Sequence, residues 1–238
     1  MTEPTFDRRL VLGGAAVLTA GFATTARAQP AAPAAAAAPG VAYTPEPAPM
    51  PFDPKAVPGL SEKLLRSHYD NNYTGAVKRL GAISRQFAAL DPATAPGFLV
   101  NGLKREELIA WNSMILHELY FASLGAPTSP GRPLAATVER DFGSDARWRA
   151  EFAGMGKALG GGSGWVILTW SHRDRRLVNQ WAADHTMTLA GSTPILALDM
   201  YEHAYAIDYG AKAAAYVDAF MASTNWSAAD ARFAKVTA

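Results

Sequence analysis

Apolar residues recur at helical spacing from Ser61 onward. Leu64, Leu65, His68 and Tyr69 fall on one side of a helix that Ser61 can cap and whose first turn carries Glu62. Leu64, His68, Asn72 and Ala76 are each four apart, so they extend this stripe if the helix is unbroken, with Gly75 a mild weakness. Asp91-Pro92 and Pro96-Gly97 interrupt the pattern. A second helix is then predicted from about Lys104 to Leu124, closed by Gly125 and Pro127, with Ser113, His117, Tyr120 and Phe121 on a shared face. Two long helices with a break between them predict an antiparallel hairpin.

Beyond the Pro-rich join 127–133, the segment Leu134 to Leu159 carries short helical patterns split at Gly143-Ser144. The periodicity then changes. Trp165–Trp170, Leu177–Trp181 and Pro194–Leu198 read as strands, the first two joined by the charged turn Ser171 to Arg175 as a hairpin. Helical spacing returns over Ala211 to Ser223. The expected fold class is α+β: an N-terminal antiparallel helical hairpin followed by an α/β domain with a small three-stranded antiparallel sheet.

The N-terminal region has a different character. FDRRLVLGGAAVLTAGFATTARA has paired arginines at Arg8-Arg9, an apolar stretch short for a bilayer, and a small-x-small end at Ala26-Arg-Ala28. It reads as an export signal over residues 1–28 of the twin-arginine type, which carries folded proteins to a periplasmic or secreted location. Residues 29–58 form a Pro/Ala tract without hydrophobic period, read as a linker outside the folded unit. The expected organisation is completed by a helical hairpin domain over 59–127 and a C-terminal α/β metal-binding domain over 128–238.

Composition narrows the chemistry. The chain has 238 residues, 49% of them hydrophobic, and a formal net charge of +1, enough for a sizeable core and too balanced to favour nucleic acid. No stable membrane span is expected in the mature chain. Cysteine is absent, so any bound metal must use nitrogen and oxygen ligands. No nucleophile elbow or HExxH motif is present, and the glycines at 160–162 and 164 precede a strand without the Lys-Ser/Thr of a phosphate loop.

The candidate chemistry centres on Asp199-Met-Tyr-Glu-His-Ala-Tyr205, which follows the apolar run ILAL. A carboxylate and an imidazole four residues apart are thereby set beside the core. With His68 and His117 on apolar helix faces, Asp199 and His203 make a set of three imidazoles and one carboxylate, suited to iron, manganese or zinc. The DMYEHAY stretch resembles the DxWEHAY signature of the iron/manganese superoxide dismutases. SHYDNNYTGAV and WNSMILHELYF resemble that family's two ligand-bearing helices, and Gly162-Ser-Gly-Trp165 its sheet opening; Tyr216-Val217 and Asn225-Trp226 resemble its closing helix. The resemblance runs from about Gly59 to Trp226.

It implies one iron or manganese ion per subunit held by His68, His117, Asp199 and His203, and disproportionation of superoxide to oxygen and hydrogen peroxide. It also implies a homodimer through the Glu202 and His203 region, with Glu202 reaching a ligand histidine of the other subunit. Several positions depart from the family pattern. Ala76 stands where a gateway tyrosine is expected, Asn72 for a histidine, Ala206 for a tyrosine, Tyr201 for the tryptophan of the motif, and Ser113 for a glutamine. His185, in AADHT, falls near the family's alternative glutamine position and is either a donor beside the metal or an exposed loop histidine next to Asp184. The candidate catalytic residues are therefore His185, Tyr201 and Glu202, with His172 a turn residue. Two other readings remain open at this point: a metal-binding member with lost dismutation, and zinc-dependent hydrolysis, for which no general base is evident.

Overall fold

A computed structural model describes residues 39–238. The export signal expected over 1–28 and the first part of the linker lie outside the described residues. The first long helix is a continuous run of α1 (Glu62–Ser67), a π-helical turn (His68–Tyr73) and α2 (Thr74–Ala88). Ser61 caps it as expected, its hydroxyl accepting from the Leu64 N–H at 3.1 Å. The π turn changes the predicted stripe. It inserts five-residue spacing, so His68 and Tyr73 are both buried whereas Asn72 is left on the flank of the helix. Helix α3 (Gly97–Ala122) begins earlier than its pattern suggests and packs against α2 to complete the hairpin.

Helices α4 (Arg132–Phe142) and α5 (Asp145–Ala158) are separated by Gly143, whose φ of 88° closes α4 in a left-handed cap. The sheet follows: β1 (Trp165–Ser171), β2 (Arg176–Ala182) and β3 (Ser192–Asp199), antiparallel in the order β2-β1-β3. The predicted β1–β2 hairpin is present, and the central strand β1 is buried along its whole length. A register shift between Leu168 and Thr169 accommodates Pro194 in β3, which cannot donate to the ladder. Short helix α6 (Ala206–Tyr209), α7 (Ala213–Ala222) and an unpredicted α8 (Ser227–Thr237) finish the chain. The fold is α+β, as expected.

One device in the sheet sets the site. Trp165 pairs with Asp199 across β1 and β3, and the Met200 N–H donates to the Gly164 carbonyl at 2.9 Å. Gly164 has φ of 136°, and a Cβ there would meet the Ala182 carbonyl oxygen at 2.2 Å. Only glycine lets the chain enter β1 so close to the end of β2. The GSGW opening therefore fixes where Trp165 and Asp199 lie relative to each other.

The expected linker needs correction over residues 39–58. Gly40 donates to the Ala88 carbonyl at 2.8 Å, Tyr43 N–H to the Ser84 hydroxyl at 2.7 Å, and Ala48 N–H to the Tyr73 hydroxyl at 2.7 Å. The Tyr43 ring stacks on Trp111 at 5.2 Å, and Pro45 is buried. This strap runs along the helical hairpin. Over residues 40–48 these N–H groups bond to the backbone and side chains of the hairpin rather than within a helix or strand of their own, which is why hydrophobic periodicity gives no sign of the strap. Nor is the boundary expected near 127–128 a break between cores: residues of the hairpin and of the sheet belong to one hydrophobic cluster.

Candidate metal centre

His68 comes from the π turn, His117 from the last third of α3, Asp199 from the end of β3 and His203 from a single 3-10 turn, Glu202–Ala204. One ligand atom from each lies within 4.8 Å of every other. The Nε2 atoms of His68, His203 and His117 stand 3.1, 3.2 and 3.5 Å from Asp199 Oδ2. Asp199, His68 and His117 are buried; the His203 side chain is about a quarter exposed, at 26%.

Neighbouring groups fix the orientation of two of the donors, His117 and Asp199. His117 Nδ1 lies 2.6 Å from the Ser113 carbonyl, a pure acceptor, so Nδ1 carries the proton and Nε2 presents a lone pair. That Nε2 is buried with no hydrogen-bond partner, an orphan acceptor that a cation would satisfy. Asp199 Oδ1 accepts from the Tyr201 N–H at 2.9 Å, leaving Oδ2 for the imidazoles. Its carbonyl accepts from the Tyr216 hydroxyl at 2.7 Å, beneath which Tyr120 stacks on Phe220. Such outer contacts hold a ligand's geometry.

Protonation follows the same logic. Burial alone would raise the Asp199 carboxyl, but the His203 and His68 imidazoles more than offset it and hold it well below the usual carboxylate range. Burial pushes His68 down against the pull of Asp199, and burial with neighbouring His68 pushes His117 down to about 3. His68 and His117 are thus neutral, buried imidazoles beside a carboxylate, the form in which these side chains bind transition metals.

A prediction follows for the metal-free protein. His68 and His117 have folded pKa values below their unfolded value of about 6.5, so below that pH the unfolded chain binds more protons and stability falls. Asp199, also lowered, contributes stability above about pH 4 and loses it in stronger acid. Each extra proton bound on unfolding costs about 1.4 kcal/mol per pH unit. Chelated protein is therefore expected to melt at least about 5 °C lower at pH 5 than at pH 7.5. Calorimetry at the two pH values checks this, and equal melting temperatures would show that the imidazoles are not held neutral.

The candidate catalytic residues are distributed unevenly. His185 packs its ring 4.9 Å from Tyr201 and 6.2 Å from His117. Its Nδ1 accepts from the Trp165 indole N–H at 3.0 Å, and its carbonyl accepts from the Asn112 amide at 2.6 Å. His185 is therefore anchored rather than an exposed loop histidine. Burial lowers its pKa against the pull of Asp199. As a neutral ring accepting at Nδ1, it carries its proton on Nε2. Tyr201 lies between His185 and His203, nearly parallel to both, and burial pushes its hydroxyl up to about 12. Glu202 is exposed in the single chain, and its side chain makes no hydrogen bond or ion pair among the described residues.

Ala76, Ser113 and Asn72 line a cavity of about 220 Å³ against His185, so three of the five positions that depart from the family pattern are gathered in one place. Ala206 is exposed on the short helix after the ligand turn. Sequence reasoning assigned no role to Trp165, Asn112 or Tyr216. Trp165 stands in the GSGW stretch and Asn112 five residues before His117, which was the signal available.

Three imidazoles and one buried carboxylate converging on a point define a mononuclear metal protein. Residues 130–232 match the family description "Iron/manganese superoxide dismutases, C-terminal domain". The chain is 67% identical over 186 residues to "Superoxide dismutase [Fe]" of Cupriavidus metallidurans, covering 78% of this chain and 94% of that protein. It is 33% identical over 190 residues to "Superoxide dismutase [Mn] 1" of Halobacterium salinarum, covering 78% and 92% of the two chains. Over 190 residues it is 32% identical to "Superoxide dismutase [Fe]" of Aquifex pyrophilus, covering 76% and 88%. The chain belongs to the iron/manganese superoxide dismutase family.

Proposed function

We propose that this protein disproportionates superoxide at a single iron or manganese ion held by His68, His117, Asp199 and His203. The observation that carries the reading is the convergence of three imidazole nitrogens on one buried carboxylate oxygen, with His117 Nε2 otherwise unpartnered. Two superoxide ions and two protons give one oxygen and one hydrogen peroxide. When bound, the ion supplies the one-electron redox chemistry that links the two halves.

The chain's own residues supply the rest. The Ser113 carbonyl and the Tyr201 N–H set the direction of His117 and Asp199. His185, its Nδ1 occupied by Trp165, offers the Nε2–H as a hydrogen-bond donor that can orient a water delivering protons for reduction to peroxide. The Tyr201 ring fills the space between His185 and His203 and limits water there. Relatives named for iron and for manganese match over similar shares of the chain, and neither usual glutamine position holds a glutamine here, so both metals remain in the proposal.

Two further readings belong with it. Exposed Glu202, one residue before His203, supports a homodimer in which it reaches the partner subunit's site. The paired arginines and apolar stretch of residues 1–28 support export by the twin-arginine route to the periplasm or beyond. Among the described residues no helix is long and apolar enough to cross a membrane.

Purified protein is expected to carry close to one iron or manganese per chain and to consume superoxide catalytically. Elemental analysis with a direct superoxide-decay assay tests both points. Bound iron or manganese without turnover would leave a metal-binding member that has lost dismutation, and stoichiometric zinc would overturn the redox reading.

A further inference from the structure

The cavity beside His185 has a feature that the four-residue centre and His185 itself do not explain. Its walls come from the π turn and α2 on one side and from α3 on the other, and Arg79 is the only charged residue lining it among the described residues. Arg79 has more than half of its side chain exposed, whereas Ser113 and Ala76 are buried, so the cation lies toward the outer end and the small residues toward the inner one. The Arg79 charge lowers the affinity of His185 for a proton, which places that residue within its field. The small side chains of Gly75, Ala76, Ala110 and Ser113 leave the passage open between the two.

The guanidinium is not free. Arg79 forms an ion pair with Glu106 of α3, whose side chain is about one-third exposed. Glu106 also receives a contact from Arg105 at 3.2 Å. An anion approaching the cavity therefore meets a cation whose field is partly cancelled by a neighbouring carboxylate.

We infer that Arg79 is the anion-guiding residue of this cavity, drawing small monovalent anions toward His185 and the metal centre, and that Glu106 attenuates it. The inference rests on the dismutase reading only for the identity of the anion, superoxide. A single cation at the mouth of a low-dielectric passage raises the local anion concentration and the association rate, and salt suppresses the effect. Arg79 touches no reacting atom and is a positioning residue.

The test uses full-length, metal-loaded protein with Arg79→Ala and Glu106→Gln. Both positions are at the surface, and a melting curve for each variant verifies folding. At low ionic strength, Arg79→Ala is expected to lower kcat/KM for superoxide by about two- to fivefold with kcat unchanged and to flatten its dependence on salt. Glu106→Gln should raise kcat/KM by about twofold and steepen that dependence. Azide affinity, read from the absorption of the iron-loaded protein, should follow the same order, Glu106→Gln tightest and Arg79→Ala weakest. If superoxide turnover is absent throughout but azide affinity keeps this order, the dismutase reading fails and the guiding role stands. If azide affinity and the salt slope are alike in all three proteins, or Arg79→Ala lowers kcat equally at every salt concentration, the guiding role is overturned.

Discussion

Replacing Asp199 by Ala is expected to reduce bound iron or manganese to background and superoxide turnover by at least about a thousandfold. The magnitude follows from position. Asp199 Oδ2 is the point on which three imidazole nitrogens converge at 3.1 to 3.5 Å, and it is the set's only anionic oxygen. Without it, three largely buried imidazole rings face one another with no carboxylate to draw a cation in. The alanine variant also strands the Tyr201 N–H, so some loss of folding stability accompanies the loss of metal. Asp199→Asn separates the two effects. Its amide oxygen can still accept from Tyr201, which keeps the turn, but it brings no negative charge. The expected result is a folded protein by circular dichroism with metal content near zero. Metal content close to one per chain in Asp199→Asn would remove Asp199 from the ligand set.

Much of this arrangement is legible in the sequence because it depends on short-range pattern. Ser61 with Leu64 and Leu65 announces a helix, and the run ILAL before Asp199 announces a buried strand ending at a carboxylate. The π turn is different in kind. An apolar stripe read at four-residue spacing runs from His68 to Asn72, yet the chain winds wider there and buries Tyr73 instead. Local propensity offers no sign of that choice. It is made by tertiary partners: Tyr73 sits 6.3 Å from Phe121, donates to Glu118 at 2.9 Å and accepts from the strap at Ala48. The strap escapes the sequence pattern for a related reason. A Pro-rich segment without hydrophobic period resembles a linker until its partners on the hairpin are known, and Ser84, Tyr69, Tyr73 and Trp111 lie far from it in sequence.

The departures from the family pattern gain a physical reading when they are placed together. Ala76, Asn72 and Ser113 are separated by up to 41 positions in the chain but line one cavity, with His185 on its wall. Shortening these side chains removes groups that could deliver protons and at the same time opens a passage. The requirement for two protons per peroxide remains, and among the described residues lining that cavity His185 is the titratable group nearest the centre. Loss at several positions thus raises the demand on one.

That concentration of function makes His185→Ala the second large effect: turnover is expected to fall about ten- to a hundredfold at pH 7 with metal content unchanged. The geometry explains both halves of the outcome. His185 is no member of the converging set, so removing it leaves the four donors in place. Its tautomer, however, is imposed by the Trp165 indole N–H, which occupies Nδ1 and leaves the proton on Nε2. His185→Gln, which restores an N–H donor of similar reach, should recover part of the rate. A merely structural role would give no such recovery. Trp165→Phe provides the complementary measurement. It keeps His185 but frees its tautomer and removes a donor that opposes protonation at Nδ1, so the His185 pKa should rise, and the acid side of the rate profile should move to higher pH. An unaltered profile in Trp165→Phe, together with full activity in His185→Ala, would show that protons reach the centre without this ring.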